Sequence, residues 1–314
     1  MDMQADLAAP LIVPVADLRT GDVLLMMGEG PLSDLIAWAS DSLYSHAAIV
    51  ADAGDLIEAA AAGVRRYPLA TRVADQVHYQ FIDALRMQGP DAATLSDADG
   101  AAVLAKAVSL LGTPYPVDQL ALFGAIMAVR GKWPEHPLGR LVVREALDHA
   151  VPDQTGSVVC SEVVYRAYAE CAATPTGRLA PVIVVGERGT APFPQIDWKA
   201  LFDELWPLLR PQGRQRLQAT RMQLNAMGSA QVDALHAEFE AVVDIADEEL
   251  ERLRQAVLGQ AGLMAGAGTD ALEARAGGPG TVVPNPNPRL VSPQDLAVSP
   301  SLAKLGRLMQ RDAG

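Results

Sequence analysis

Apolar residues recur every three or four positions between residues 160 and 171, which predicts a helix with one buried face. After Cys160 the apolar positions are Val163, Val164, Ala167, Tyr168 and Cys171. Gly156 and Ser157 come just before this segment and favour a loop that leads into the helix. The pattern therefore places Cys160 at or near the first turn of a helix.

Shorter apolar runs predict β-strands in the first 90 residues. The predicted strands are 23–27, 44–50, 56–60, 64–69 and 77–85. The second and third flank a turn signal at 53–55, which is typical of a β-hairpin. Neighbouring strands bring side chains together directly opposite each other or one diagonal step apart. The hairpin can therefore place His46 beside Glu58.

Further periodic segments predict helices along the rest of the chain. These segments are 33–40, 101–111, 120–129, 196–206, 213–227, 230–258 and 299–310. Segment 120–129 is almost wholly apolar, so it is either a core helix or a hydrophobic wall for an acyl chain.

Segments 213–227 and 230–258 are separated by a break at Gly228 and Ser229, which predicts an αα-hairpin. Two roles stay open for it: it folds back on its own domain, or it is an arm for oligomerisation or for docking a partner protein. Segment 259–288 is rich in Gly, Ala, Pro and Asn and predicts a flexible linker.

Composition narrows the choice of partners. The chain has 314 residues, 50% of them hydrophobic, which is enough for one large core or two small ones. Its net charge of −13 argues against nucleic acid as a partner. The same charge disfavours simple electrostatic adhesion to anionic lipid, although transient membrane contact stays open.

The two cysteines and the N-terminus indicate a reducing compartment. On one helix, Cys160 and Cys171 would lie roughly 16 Å apart, which is too far for a disulfide. Asp2 and Asp6 stand where a signal peptide carries basic residues, and Pro10 interrupts the short apolar run. Segment 120–129 is too short to span a bilayer. We expect a protein that is cytoplasmic as synthesised, with delivery elsewhere by a signal-independent route left open.

Three side chains are candidates for catalysis. A thiol at a helix N-terminus generally has a lowered pKa, because the backbone N–H groups and the helix dipole favour the nucleophilic thiolate. A carboxylate beside an imidazole fixes the tautomer and stabilises the imidazolium. The alternatives are that Cys160 is a small core residue and that His46 and Glu58 are surface residues. The five histidines lack metal-ligand spacing, so we expect no metal and no cofactor.

Four short motifs resemble the circularly permuted NlpC/P60 hydrolases of the papain-like superfamily, the branch often called YiiX-like. In chain order they are Thr20-Gly21-Asp22-Val23 with 44–50 and 57–59, then 110–115, then Val159-Cys160-Ser161-Glu162, and last Val291-Ser292-Pro293 within 291–299. The histidine precedes the cysteine, which is the permuted order. The matches cover roughly residues 15–195 and 289–303.

This resemblance implies an α+β fold in which an antiparallel sheet packs on the nucleophile helix, with an inserted helical hairpin. It implies that Cys160 is the nucleophile, that His46 is the general base and then acid, and that Glu58 orients His46. Tyr115 is expected to line the site, and Tyr44 and Ser45 to contact substrate. The implied divisions are an extension at 1–14, a catalytic domain at 15–195 and 289–303, a helical insertion at 196–258, a linker at 259–288 and a tail at 304–314.

The resemblance leaves two substrate classes open. One comprises peptide amides, including cell-wall peptides. The other comprises acyl groups on lipids or acyl-amino acids, which the apolar segment 120–129 slightly favours. A competing interpretation is that the protein is not an enzyme but a binding module, which recruits a partner through the hairpin at 213–258.

The sequence predicts unequal reactivity of the two cysteines. Cys160 lies at a helix start and Cys171 lies in an apolar seam, so iodoacetamide should alkylate Cys160 much faster near neutral pH. Mass spectrometry of the two cysteine peptides after a short exposure measures both rates. Equal rates in the folded protein would contradict the prediction.

Overall fold

The computed structural model describes most of the chain. The described residues are 12–60, 63–89, 95–113, 118–150, 159–187, 189, 191–207, 209, 212–216, 218, 222, 245–265 and 278–311.

A six-stranded antiparallel sheet forms the centre of the protein, with strand order β4-β3-β2-β1-β5-β6. The strands are β1 (Val23–Gly28), β2 (His46–Val50), β3 (Asp55–Ala60), β4 (Gly63–Pro68), β5 (Tyr79–Met87) and β6 (Leu302–Gln310). Every residue of β1 is buried, because this strand lies inside the sheet and both of its faces are covered. The predicted α+β class is confirmed.

The helices complete the architecture. They are α1 (Pro31–Ser40), α2 (Leu69–Val73), α3 (Asp97–Ser109), α4 (Asp118–Arg130), α5 (Pro137–Ala150), α6 (Cys160–Ala169), α7 (Trp198–Leu205), α8 (Asp247–Ala265) and α9 (Pro293–Ala297). Helix α5 and the short helices α2 and α9 are absent from the sequence prediction. The other predicted strands and helices up to residue 206 are confirmed, with small shifts of their ends.

The two faces of the sheet pack against different partners, as side-chain alternation requires. Leu25, Ile49 and Ile57 belong to the larger core, which also contains residues of α1 and α3–α7. Leu24, Ala48 and Leu56 point to the other face and pack with a smaller cluster. Helix α6 contacts β2 and β3, so the sheet does pack on the helix that begins at Cys160.

Segment 299–310 does not form the helix that its spacing predicts. Leu302, Leu305 and Leu308 recur every three residues, but this segment instead forms β6, which pairs with β5 from Met87↔Leu302 to Phe81↔Gln310. As a strand, the segment pairs its backbone N–H and C=O groups with the open edge of β5. A helix would instead pair these groups within itself. The sheet therefore continues past residue 303, where the sequence boundary of the catalytic domain was placed.

The inserted region departs from the predicted hairpin. Residues 245–246 are not helical, and α8 begins at Asp247, so a single helix over 230–258 is wrong at this point. Helix α8 also continues to Ala265, into the predicted linker, and Val283 farther along is buried. Residues 223–244 and 266–277, which carry much of the predicted hairpin and linker, lie outside the described residues.

Helix α8 packs on α4 and α5 of the same chain. Leu250 and Val257 are buried in the main core, and Arg140 and Arg144 of α5 form ion pairs with Asp247 and Glu249. This packing agrees with the folded-back alternative for the part of the insertion that the structure describes.

Helix α4, which contains the apolar segment 120–129, is a core helix. Leu120, Phe123 and Met127 are fully buried, and α4 contacts α1, α5 and α8. The interpretation of this segment as a wall for an acyl chain therefore loses its support. Within the described ranges, no helix combines the length and the apolar character needed to cross a membrane.

The α4–α5 contact should tolerate no side chain at Gly124. A Cβ there would overlap the backbone oxygen of Ala146, so we expect Gly124→Ala to lower the free energy of unfolding by about 1–3 kcal/mol. Gly100→Ala in α3 is the matched control, because its Cβ would meet nothing closer than the Thr20 oxygen at 3.7 Å. Gly100→Ala should raise the free energy of unfolding by up to about 1 kcal/mol, because Ala has a higher helix propensity than Gly. Urea unfolding measures both, and equal effects would refute the packing argument.

Candidate active site

The β2–β3 hairpin brings His46 and Glu58 into contact. Ala48 is paired with Glu58, so His46 lies one diagonal step away on the same face. His46 Nε2 is 3.3 Å from Glu58 Oε2. Both residues are buried, with 7% of His46 and 0% of Glu58 exposed. The structure therefore brings together the pair that the sequence predicts, and Nδ1 is the ring atom that Glu58 leaves available.

Two arginines hold the other oxygen of the Glu58 carboxylate. Arg65 lies directly opposite Glu58 on β4, and its Nε and Nη2 donate to Oε1 at 3.1 and 2.8 Å. Arg72 of α2 donates from Nη2 to the same oxygen at 2.6 Å. Because both guanidinium groups use Oε1, the second oxygen is left for His46.

This environment keeps Glu58 ionised. Burial alone raises the pKa of a carboxyl group, but the hydrogen bond and charge of His46, the charge of Arg72 and the hydrogen bond of Arg65 outweigh burial. Together they lower the pKa of Glu58 to about 2. Glu58 is therefore a fixed negative charge beside the imidazole at any physiological pH.

Aromatic rings enclose this ion cluster. The Arg72 guanidinium lies 4.6 Å from the ring centre of Tyr67 and 4.5 Å from that of Tyr79. The ring of Tyr79 in turn lies 6.3 Å from that of His46. Neither arginine is among the site residues that the sequence predicts. The β3–β4 pairing could have found Arg65, but no local signal places Arg72 here.

Cys160 is the first residue of α6, and the His46 imidazole lies within its reach. Burial lowers the pKa of His46, but electrostatic interactions with Tyr79 and Cys160 and hydrogen bonds with Cys160 and Glu58 raise it well above its ordinary value. A thiol and a carboxylate thus both favour the protonated form of the ring. This is the arrangement that a thiolate nucleophile needs.

Exposure does not distinguish the two cysteines. Cys160 is 1% exposed and Cys171 is 3% exposed. Cys171 donates from Sγ to the Tyr168 oxygen at 3.2 Å, whereas Cys160 interacts with His46. A difference in alkylation rate would therefore report the chemistry of the thiols and not their burial.

Glu162 caps the start of α6. Its Oε2 accepts from the backbone N–H of Val159 at 3.1 Å. Burial raises the pKa of Glu162, and although the charges of Arg289 and Arg166 oppose that shift, the pKa stays near 7. Glu162 therefore changes its protonation state close to neutral pH, two residues from Cys160.

The predicted substrate-contacting residues have different positions. Tyr44 is buried and donates to Asp83 Oδ2 at 2.8 Å. Ser45 is fully buried and accepts from the Gly28 N–H at 3.0 Å. Both side chains thus make internal contacts, and their role toward substrate stays a prediction. Tyr115 lies outside the described residues. Within the ranges that the structure describes, no group of three or more His, Cys, Asp or Glu residues is arranged to hold a metal ion.

Comparison with solved structures gives a structural likeness. No known protein family matches the sequence, and no curated protein matches it. The chain is similar to the crystal structure of the metalloprotein YiiX from Escherichia coli O157:H7. The identity is 16%, the TM-score is 0.40, and the match covers 93% of this chain and 98% of that chain.

The Glu58 environment predicts a specific loss of stability in acid. Its pKa of about 2 is below the ordinary unfolded value of roughly 4.3. Its contribution, up to about 3 kcal/mol, is therefore fully present above that unfolded value and is lost as the pH falls toward 2. Glu58→Gln should be less stable than the wild type at pH 7, and the difference should shrink in acid.

Urea unfolding at several pH values between 7 and 2 measures this difference. Asp52→Asn is the control, because the exposed Asp52 also pairs with an arginine, Arg66, and should show a much smaller change with pH. A Glu58→Gln deficit that stays constant from pH 7 to 2 would contradict the assigned charge state.

Proposed function

We propose that this protein is a cysteine hydrolase or acyltransferase that works through an acyl-enzyme on Cys160. One observation carries the proposal: His46 Nε2 is 3.3 Å from the Glu58 carboxylate, and the same ring interacts with the thiol of Cys160, the first residue of α6. The motif order, with the histidine before the cysteine, and the antiparallel sheet against α6 support a permuted papain-like arrangement.

The reaction begins with attack of the Cys160 thiolate on a carbonyl carbon. A C–S bond forms and the carbonyl oxygen becomes an oxyanion, for which the backbone N–H groups at the start of α6 are suited donors. The His46 imidazolium gives its proton to the leaving amine or alcohol as the C–N or C–O bond breaks. The product of this half-reaction is a thioester on Cys160.

The second half-reaction releases the acyl group. Neutral His46 takes a proton from water or from an acceptor alcohol or amine, whose oxygen or nitrogen attacks the thioester. The C–S bond breaks and restores the thiolate and the imidazolium. Glu58 remains ionised throughout, because its pKa of about 2 prevents it from taking the proton of His46.

The substrate is an ester or amide: either a peptide amide, or an acyl group on a lipid or an acyl-amino acid. Because α4 is buried in the core, its apolar side chains no longer favour lipids over peptides. A binding module without catalysis would not need the Glu58–His46–Cys160 arrangement, so we favour the enzyme.

Substitution of the three residues should separate their roles. Cys160→Ala and His46→Ala should each lower turnover at least about 10³-fold. The turnover of Glu58→Gln should be roughly 10-fold or more higher than that of these two variants. Cys171→Ser is the matched thiol control and should keep full activity.

Turnover is measured on a short fluorogenic ester, a lipid panel and a peptidoglycan-peptide panel, which also assigns the substrate class. Full activity of Cys160→Ala would remove the enzyme proposal. If the wild type turns over no substrate and Cys160 resists alkylation, the binding-module interpretation is favoured.

A further inference from the structure

A segment that follows the insertion holds the start of the nucleophile helix. Ser161, next to Cys160, donates from Oγ to the backbone oxygen of Val291 at 2.6 Å. Ser161 and Val291 are both fully buried. We call residues 287–293 the strap, because they contact α6 and join the inserted region to the strand β6.

A second interaction ties the strap to the same turn of α6. The positive charge of Arg289 acts on the buried Glu162 carboxylate, which itself accepts from the Val159 N–H at 3.1 Å. The strap therefore reaches the two residues that follow Cys160, Ser161 through a hydrogen bond and Glu162 through a charge interaction.

The strap also contacts the inserted helix. Leu290 and Ala125 of α4 form a small buried cluster, against which Val129 and Leu258 pack. Leu258 belongs to α8, which is fixed to α4 by a hydrogen bond from Arg254 Nε to the Ala128 oxygen at 2.7 Å. A continuous set of contacts thus leads from α8 through Leu290 and Val291 to Ser161 and Cys160.

We propose that the strap positions Cys160 against His46, that Ser161 is the positioning residue, and that the docked helix α8 acts on the nucleophile through Leu258 and Leu290. This inference rests on the proposed function, because it concerns the thiolate–imidazolium pair. Displacement of a reacting atom by about 1 Å can cost roughly 100-fold in rate. The contact between Leu258 and Leu290 then supports the nucleophile, and loss of this contact changes the reactivity of Cys160.

The test compares the alkylation rate of Cys160 at two pH values in the full chain. At pH 6 an ordinary thiol is ionised to less than about 1%, so rapid reaction with iodoacetamide requires the pair with His46. At pH 9.5 any accessible thiol reacts as a free thiolate. Loss of positioning therefore slows the reaction at pH 6 only, whereas general loosening of the structure changes both rates.

Ser161→Ala should slow alkylation at pH 6 at least about fivefold and change the rate at pH 9.5 by less than about twofold. Ser299→Ala is the matched control, because Ser299 makes the same kind of bond, from Oγ to the Val182 oxygen at 2.8 Å, away from Cys160. Ser161→Thr keeps the hydroxyl and should restore most of the rate at pH 6.

Leu258→Ala tests the contribution of α8 to the positioning of Cys160. It also tests the inference if Ser161→Ala does not fold. It should reproduce the selective loss at pH 6. Leu253→Ala is its control, since Leu253 lies on the same helix and packs on the main core without belonging to the Leu290 cluster. Urea unfolding confirms that each variant is folded under the conditions of the assay.

Wild-type rates at pH 6 in both Ser161→Ala and Leu258→Ala would overturn the inference, and so would equal losses at both pH values or equal losses in the controls. Failure of the proposed function is seen separately, in the wild type alone. If Cys160 of the wild type follows the pH profile of an ordinary thiol, the thiolate–imidazolium pair does not exist and both proposals fall.

Discussion

The buried carboxylate of Glu58 is the interaction on which the candidate site depends. A carboxylate with 0% exposure would be strongly destabilising if it were unpaired, and removal of one partner from such a buried pair typically costs about 3–5 kcal/mol. Here Arg65, Arg72 and His46 all donate to it. The need to keep these three partners on the carboxylate fixes β2, β3, β4 and α2 relative to one another. This constraint comes from stability and does not depend on any catalytic role.

The same carboxylate is one of the groups that favour the protonated form of the histidine. Because both arginines use Oε1, the geometry directs Oε2 to His46, and because the pKa of Glu58 is about 2, the imidazole always faces an anion. Tyr79 contacts both Arg72 and His46, so the cluster also restrains the ring. The His46–Glu58 pair is therefore built on the sheet, whereas the proposed nucleophile, Cys160, comes from a helix more than a hundred residues later.

The nucleophile helix has its own support, and this support connects the chemistry to the insertion. Surface ion pairs such as those between α5 and α8 contribute little to stability. Leu250 and Val257 are buried in the core, and burial of each such side chain contributes about 1.5–3 kcal/mol to stability. The inserted helix is thus docked by apolar packing. Leu258 of this helix packs against Leu290, and Val291, the next residue, accepts from Ser161. Packed contacts therefore join the inserted helix to the start of α6.

Local patterns in the sequence determined the elements that carry the site. The three-and-four spacing after Cys160 specifies a helix that begins there, and two short apolar runs around a turn specify the hairpin that pairs His46 with Glu58. The tertiary structure decided the rest. The spacing of Leu302, Leu305 and Leu308 suits a helix, and only the open edge of β5 makes that segment a strand. Arg72 reaches Glu58, and Val291 accepts from Ser161 130 residues away, because packing brings these groups together, and no local periodicity encodes such long-range contacts.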